Sequence, residues 1–416
     1  MRELSIEQMA TSFEDGERVY LAGSSGECKD LSALLTQPDC KVADAHFITS
    51  FVPGINSRCL ARPGRRSRVA TFFMQPSLRA AHAEGRVDFR PISYFGIHRL
   101  LTDQATTIDT AVVQVAPPDT RDQCSLGPAI EFMPSVLTRA SRVFGVINPN
   151  VPRLPGSPSV PLERFEAISR SSSPLATYEV GKPSPAAGEL VEHLATLIPS
   201  GSTVQVGLGK IPAQLLRVLG ARRDLSLHSG LISDAVLELA DFGALRAEPA
   251  ICTGVAIGSA AFYARLAAQR GLSFAEVGFT HSPQTLSRIS GLRAVNSALQ
   301  LDLFGQVNAE MLDGQYVSGP GGLPDFARAA HLDPEGLSII ALHATDGSGS
   351  LSRIVPRLGV DAVISVPQYD VDAVVTEYGV ALLRGQSLGE RARRLCAIAH
   401  PDHRAELIKA SRALFN

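Results

Sequence analysis

A chain of 416 residues, 45% hydrophobic and 19% charged with a formal net charge of −2, is long enough for two domains with separate cores. The charge balance gives no reason to expect a nucleic-acid partner, and no apolar run approaches the ~18–20 residues that cross a bilayer. The start, Met1-Arg2-Glu3-Leu4-Ser5-Ile6-Glu7, carries acidic residues and no apolar core, so no secretory signal is expected.

Short apolar, β-branched runs alternate with helical spacing along the chain. This predicts an α/β fold of two related domains, each a mostly parallel sheet flanked by helices. The first strand is Arg18-Val19-Tyr20-Leu21-Ala22-Gly23. A Gly/Pro loop then carries Arg58, Arg62, Arg65, Arg66 and Arg68, readable as a solvated face or as an anion site for phosphates or a partner. Ala111-Val112-Val113-Gln114-Val115 is a further strand. From Val151 to Gly188, prolines including Pro152, Pro155, Pro174, Pro183 and Pro185 interleave with Ser171-Ser172-Ser173, which marks a crossing between domains 1–187 and 188–416. Gly188 to Ile198 has apolar residues at helical spacing, and Thr203-Val204-Gln205-Val206-Gly207 and Ser338-Ile339-Ile340-Ala341-Leu342 are strands.

The halves echo each other. Gly16-Glu17-Arg18-Val19 with Gly23 resembles Gly201-Ser202-Thr203-Val204 with Gly207, and each is followed by a later strand and polar turn, Ala111 to Gly127 and Ala294 to Asn308. A loose internal duplication explains this. Six cysteines, Cys28, Cys40, Cys59, Cys124, Cys252 and Cys396, lie far apart without metal-ligand spacing, and read as reduced thiols of a cytoplasmic protein with no metal. Cys124 is placed in a turn and Cys252 in an apolar stretch, both buried.

Three segments carry chemistry. Gly207-Leu208-Gly209-Lys210-Ile211-Pro212 follows a strand and opens a helix over Ala213 to Leu219; its glycines let backbone approach a ligand, and a helix start favours an anion. Ser318-Gly319-Pro320-Gly321-Gly322-Leu323-Pro324-Asp325-Phe326 forms a backbone-lined turn, with Asp325 read as a helix N-cap. The third is Ala294-Val295-Asn296-Ser297-Ala298-Leu299-Gln300-Leu301-Asp302-Leu303-Phe304-Gly305-Gln306-Val307-Asn308.

That third run closely resembles the active-site strand and turn of the acetyl-CoA hydrolase/transferase family, which includes 4-hydroxybutyrate CoA-transferases. The resemblance continues, in order, through Val115-Ala116-Pro117-Pro118-Asp119, Val146 to Arg153, Ser352-Arg353-Ile354-Val355-Pro356, Val374 to Gly385 and Ala399-His400-Pro401-Asp402. It implies a CoA-transferase-like fold, an acyl-CoA thioester and a small-molecule acceptor as substrates, and a homodimer or a heteromeric partner subunit. It places Gly207, Gly209, Lys210, Ile211, Gly319, Ser350 and Arg353 beside the CoA ester, and Gly321 and Gly322 at an oxyanion hole. Such preorganised donors are worth ~3–4 kcal/mol to an acyl-transfer transition state.

In that family a glutamate stands at the position of Gln300 and attacks the thioester. A carboxamide has no ionised form near pH 7, so the covalent route through a glutamyl-CoA intermediate is closed. Other positions depart as well: Gly230 stands in place of a second glutamate, Leu323 in place of a frequent glutamine, and Ser350 in place of a lysine. His343 is new on its loop and is a candidate general base with Asp346 as its orienter. Glu377, in Thr376-Glu377-Tyr378-Gly379, reads as structural. The sequence thus points to acyl transfer to water or a second substrate without a glutamyl intermediate. The alternatives are a non-catalytic CoA-ester-binding protein or subunit, and ordinary CoA transfer through another carboxylate.

Overall fold

The computed structural model describes residues 1–62, 65–181 and 185–415. Pro183 of the expected crossing, and residues 63 and 64 of the arginine-bearing loop, lie outside them. Contacts divide the chain into two compact units. The first gathers Met1–Glu179 with Cys252–Thr280 and Val317–Gly321; the second gathers Val180–Ile251, His281–Tyr316 and Gly322–Asn416.

The first unit is built on an eight-stranded sheet. Its strands are β1 (Arg2–Glu3), β2 (Arg18–Leu21), β3 (His46–Thr49), β4 (Arg68–Thr71), β5 (Val87–Phe89), β6 (Thr110–Val115), β7 (Arg142–Ile147) and β8 (Ala167–Arg170). The order is β1-β8-β7-β6-β2-β3-β4-β5, with parallel pairing throughout. β6 is buried at every position, as a strand covered on both faces must be. Chain order reverses between β2 and β6, and the carboxyl ends of strands beside such a reversal are where open parallel sheets form crevices.

The second unit repeats this wiring. Its strands are β9 (Thr203–Val206), β10 (Ser226–Ile232), β11 (Leu292–Ser297), β12 (Leu337–Ala341), β13 (Ala373–Thr376) and β14 (Gly379–Leu382). They are six strands of an eight-stranded sheet and run β10-β9-β11-β12-β13-β14, parallel except for the antiparallel β13–β14 pair. β9 thus lies between β10 and β11 as β2 lies between β3 and β6, so the echoed glycine segments open the equivalent central strands.

The sequence-predicted strands fall within a residue or two of these bounds, but two local expectations shift. The helix expected over Ala213 to Leu219 spans Lys210–Val218. Proline is tolerated in a first helical turn, where its missing N–H has no partner to lose, so Pro212 does not delay the start. Cys124 lies in the short strand Gln123–Ser125 rather than in a turn, and it is buried, whereas Cys252 is half-buried. All six cysteines are free, and burial pushes the Cys28 thiol up to about 12 and that of Cys252 up to about 11. Among the described residues no helix is long and apolar enough to cross a membrane.

Candidate functional site

Gln300 does not continue β11. That strand stops at Ser297, and Gln300–Asp302 joins a separate three-stranded sheet, pairing antiparallel with Val307–Asn308 and parallel with Ile354–Val355. Leu301 and Leu303 are completely buried in the apolar core of the second unit. At ~1.5–3 kcal/mol for each buried leucine they pin the register, and strand alternation turns Gln300 away from that core. The polar turn is closed by Asp302, whose carboxylate accepts from the N–H of Phe304 at 3.1 Å and of Gln306 at 2.9 Å. Gly305 supplies the left-handed backbone there, with φ +91°. Among the described residues, nothing hydrogen-bonds the half-buried carboxamide of Gln300.

A backbone ladder brings other predicted residues to this strand. The Leu301 N–H donates to the Arg353 carbonyl at 2.9 Å, and the Arg353 N–H donates to the Ala344 carbonyl at 2.9 Å. His343 precedes Ala344, so Gln300, Arg353 and His343 stand on three neighbouring rungs. The orienter of His343 is not Asp346. Asp346 closes its own loop, accepting from the Ser348 hydroxyl at 2.7 Å and the Leu351 N–H at 3.0 Å, and these bonds hold its carboxyl below the usual range. Ser350 is exposed on the same loop, with its hydroxyl 2.6 Å from that of Ser348.

The carboxylate beside His343 is that of Glu377. Its Oε2 lies 3.5 Å from His343 Nδ1, and both of its oxygens accept from the Ala344 N–H, at 3.2 and 3.0 Å. Burial alone would raise this carboxyl, but the His343 contact and the backbone amides of Glu377 and Ala344 outweigh it and leave the group below its ordinary value. In the tautomer whose proton lies on Nδ1, facing that carboxylate, Nε2 is the nitrogen that carries the lone pair. The flanking signatures serve this pair. Thr376 Oγ1 donates to the Ile398 carbonyl at 2.6 Å and accepts from the Tyr378 N–H at 3.0 Å, which shapes the turn that carries Glu377.

The glycine loop has a steric reason for each glycine. A Cβ on Gly319 would lie 2.1 Å from the Phe72 carbonyl oxygen, and Gly321 has φ +57° and accepts from the Tyr94 N–H at 2.9 Å. Gly322 is the N-cap of the helix Leu323–Leu332; Asp325 therefore sits in the first turn, not at the cap as its position in the sequence suggested. Among the described residues the N–H groups of Gly321 and Gly322 find no acceptor, which leaves them as donors. The other predicted anion turn is open: Gly207 and Lys210 are exposed, Gly209 caps the helix Lys210–Val218 with φ +127°, and Ile211 is half-buried.

Gly230 has a partner in space. An added Cβ would meet the His281 ring at 2.7 Å, and one on Gly322 would meet the same ring at 2.6 Å. His281 packs edge-on against Phe326 with centroids 4.8 Å apart. Burial, and next His228, hold this imidazole neutral with its pKa down to about 3. The missing glutamate at 230 and the glycine at 322 are thus two sides of one histidine's pocket.

Two buried carboxyls escaped the sequence reading. Glu131, with φ +41°, accepts from the Ser50 hydroxyl at 2.8 Å and the Tyr94 hydroxyl at 3.1 Å, and burial lifts it to about 7. Tyr94 also bonds Gly321, so Glu131 braces the loop's attachment within the first unit. Glu310 accepts from the Ser365 hydroxyl at 2.7 Å and is raised by burial. The available signal was a lone acid in the apolar run Ala129-Ile130-Glu131-Phe132-Met133; Glu310 offered none. Among the described residues no group of three or more His, Cys, Asp or Glu is placed to hold a metal.

The chain matches known proteins over both of its halves. The acetyl-CoA hydrolase/transferase N-terminal domain matches residues 2–172, and the C-terminal domain of the same family matches residues 258–411. The chain is 30% identical over 418 residues to the 4-hydroxybutyrate coenzyme A transferase of Clostridium kluyveri, covering 99% of this chain and 97% of that protein. It is 30% identical over 353 residues to the succinyl-CoA:cyclohexane-1-carboxylate CoA transferase of Geobacter metallireducens, covering 83% and 80%. Among solved structures, RipA from Yersinia pestis superposes with a TM-score of 0.90 at 26% identity, over 99% of this chain and 97% of that one. On both domains and nearly its whole length, the chain belongs to the acetyl-CoA hydrolase/transferase family.

Proposed function

We propose that this chain is an acyl-CoA enzyme that passes the acyl group of a CoA thioester to water or a second substrate, with His343 as general base and no glutamyl-CoA intermediate. Family membership supports an enzyme acting on CoA thioesters. The observation that carries the finer reading is the His343–Glu377 pair, 3.5 Å apart, on the ladder that holds Gln300. In this reading His343 Nε2 takes the proton of the attacking water or hydroxyl as its oxygen bonds the thioester carbonyl carbon. The N–H of Gly322, in the same unit as His343, stabilises the oxyanion; the C–S bond then breaks, and the proton passes to the CoA thiolate. Gln300 acts as a neutral polar contact, because its amide cannot replace the carboxylate nucleophile. The CoA moiety is assigned to Gly207, Gly209, Lys210, Ile211, Gly319, Ser350 and Arg353. A second copy of the chain or a partner subunit is the proposed assembly.

The test is release of free thiol from a panel of acyl-CoAs with water and with hydroxyl, amine and carboxylate acceptors. His343→Gln and Glu377→Gln are expected to lower turnover by about 100-fold or more, the usual worth of a positioned base. Asp346→Asn is expected to leave it within about threefold, since that carboxylate serves its own loop. Turnover that survives His343→Gln sinks the base. CoA-ester binding without turnover under any acceptor moves the assignment to a non-catalytic binding protein. A hydroxylamine-trapped acyl group on Glu310 or Glu377 restores covalent transfer.

A further inference from the structure

The arginine-bearing loop 58–68 divides into two parts. Arg62 is buried, donating to the carbonyls of Cys40 and Val42 at 2.7 Å each. Arg65 meets Asp44 at 3.1 Å and Arg66 meets Asp15 at 3.4 Å, so these three arginines are occupied holding the loop. Arg68 is different. It opens β4, and its register partner is His46, the first residue of β3, whose own partner is Arg18, the first residue of β2. In-register neighbours on parallel strands point to one face, so Arg18, His46 and Arg68 form a row across three strands, with the two arginines about 10 Å apart at their Cα atoms. Arg18 Nη1 donates to Thr107 Oγ1 and Arg68 Nη2 to the Gly85 carbonyl at 2.6 Å, but among the described residues neither guanidinium forms an ion pair with a carboxylate, and the His46 imidazole has no partner.

The row stands at the mouth of a cavity of about 530 Å³ that lies wholly within the first unit. The next positions on the same face, Ile48 and Ala70, form its floor, and Leu100 and Leu101 of the helix Tyr94–Thr102 also line it. Ala70 is half-exposed in the middle of a strand, so the layer above leaves a hole there. Arg90 lines the cavity as well, paired at 2.8 Å with Asp88, the one carboxylate among the lining residues. A helix C-terminus would oppose an anion, but here Arg139 Nη2 takes the carbonyls of Asp103 at 3.1 Å and Thr106 at 3.3 Å. The volume lies in the range of small-molecule pockets, and guanidinium forks at a mouth over an apolar floor match an oxyanion head with a short hydrocarbon tail.

We propose that this cavity is a second binding site, for a small amphipathic anion: a carboxylate or phosphate monoester carrying a tail of about four to eight carbons. Its residues all belong to the first unit and lie at the amino ends of β2, β3 and β4, whereas Gln300, His343 and Glu377 belong to the second. The proposal therefore stands independently of the acyl-transfer reading.

The test is calorimetry and thermal shift on the full chain with hexanoate, hexyl phosphate, inorganic phosphate and hexanol, repeated with Arg18→Gln/Arg68→Gln and with Ala70→Leu. Saturable binding of hexanoate or hexyl phosphate is expected, weakened about tenfold or more in the double arginine variant, the scale of lost charge-assisted hydrogen bonds. Ala70→Leu is expected to weaken the tailed anions alone, and the relative strength of the two tailed anions identifies the head group. The proposal is overturned if neither tailed anion binds, if both bind unchanged in the double arginine variant, or if hexanol binds as well as hexanoate. Equal binding of inorganic and hexyl phosphate overturns the role of the floor. Because both variants act on surface and half-exposed positions, a folded protein is expected in each, verified by circular dichroism.

Discussion

The two units share their wiring and differ at the turn that follows the first central strand. After β2, Gly23 is shut in: a Cβ there would lie 2.0 Å from the Ser50 carbonyl oxygen, its N–H donates to Ser50 Oγ at 2.9 Å, and Ser50 donates onward to Glu131. After β9, the equivalent Gly207 is exposed, with nothing within 4 Å of an added Cβ. One turn has become part of a buried polar network, and the other has stayed an open loop before a helix start. A duplicated scaffold tolerates this because the turn's backbone needs some partner for its polar groups: protein in the first unit, solvent or a ligand in the second. The glycine is the same letter in both places for different physical reasons.

The sharpest way to break this comparison is to place the same methyl group in both turns. Gly23→Ala is expected to cost about 3 kcal/mol or more, since a backbone carbonyl cannot step aside as a side chain does. Gly207→Ala is expected to stay within about 1 kcal/mol in stability. Denaturant unfolding of both variants measures the difference, and equal losses would show that the two turns are not distinguished by packing.

The network behind Gly23 gives a pH signature of similar size. Glu131 is lifted by burial to about 7 from an ordinary value of 4.5, so the folded protein keeps a proton that the unfolded chain has released between those values. Stability from this group therefore falls as pH rises from about 4.5 to about 7 and levels off above, a span of about 3 kcal/mol at 1.36 kcal/mol per unit. Glu131→Gln removes the titration. Its midpoint in thermal unfolding is expected to gain on the wild type between about pH 4.5 and pH 7 and to keep a constant lead above that. A constant offset through the window from pH 4.5 to pH 7 would mean that burial does not raise this carboxyl.

Much of this was legible beforehand, and the exceptions have physical causes. Strands such as β2, β6, β9 and β12 announce themselves as short β-branched runs ended by turn residues, and the family motifs locate Gln300 without any coordinates. The assignment of 252–280 and 317–321 to the first unit was not visible, because local periodicity carries no information on which compact unit a segment packs with. Asp346 was the natural orienter of His343 by proximity in sequence. The carboxylate that reaches it is 34 residues away on the turn between β13 and β14, at 3.5 Å. Sequence shows which acids are near in the chain, not which are near in space.

The smallest effect concerns His281, and it tests whether the glycines at 230 and 322 are coupled through its ring. Gly230 and Gly322 both abut this ring, at 2.7 and 2.6 Å from an added Cβ. Gly230→Glu alone is expected to cost about 1–3 kcal/mol, because the new side chain must displace a buried imidazole packed on Phe326. His281→Ala alone opens a void and costs a comparable amount. In the double variant the glutamate's methylenes enter the vacated space, so the two losses are expected to fall short of additive by about 1 kcal/mol, within the range seen for residues in contact. The same cycle on Gly322→Ala with His281→Ala should show coupling of the same sign. Additive losses in both cycles would mean that the helix Leu323–Leu332 moves as a body to admit the new side chain, and that the two glycines are not coupled through the ring.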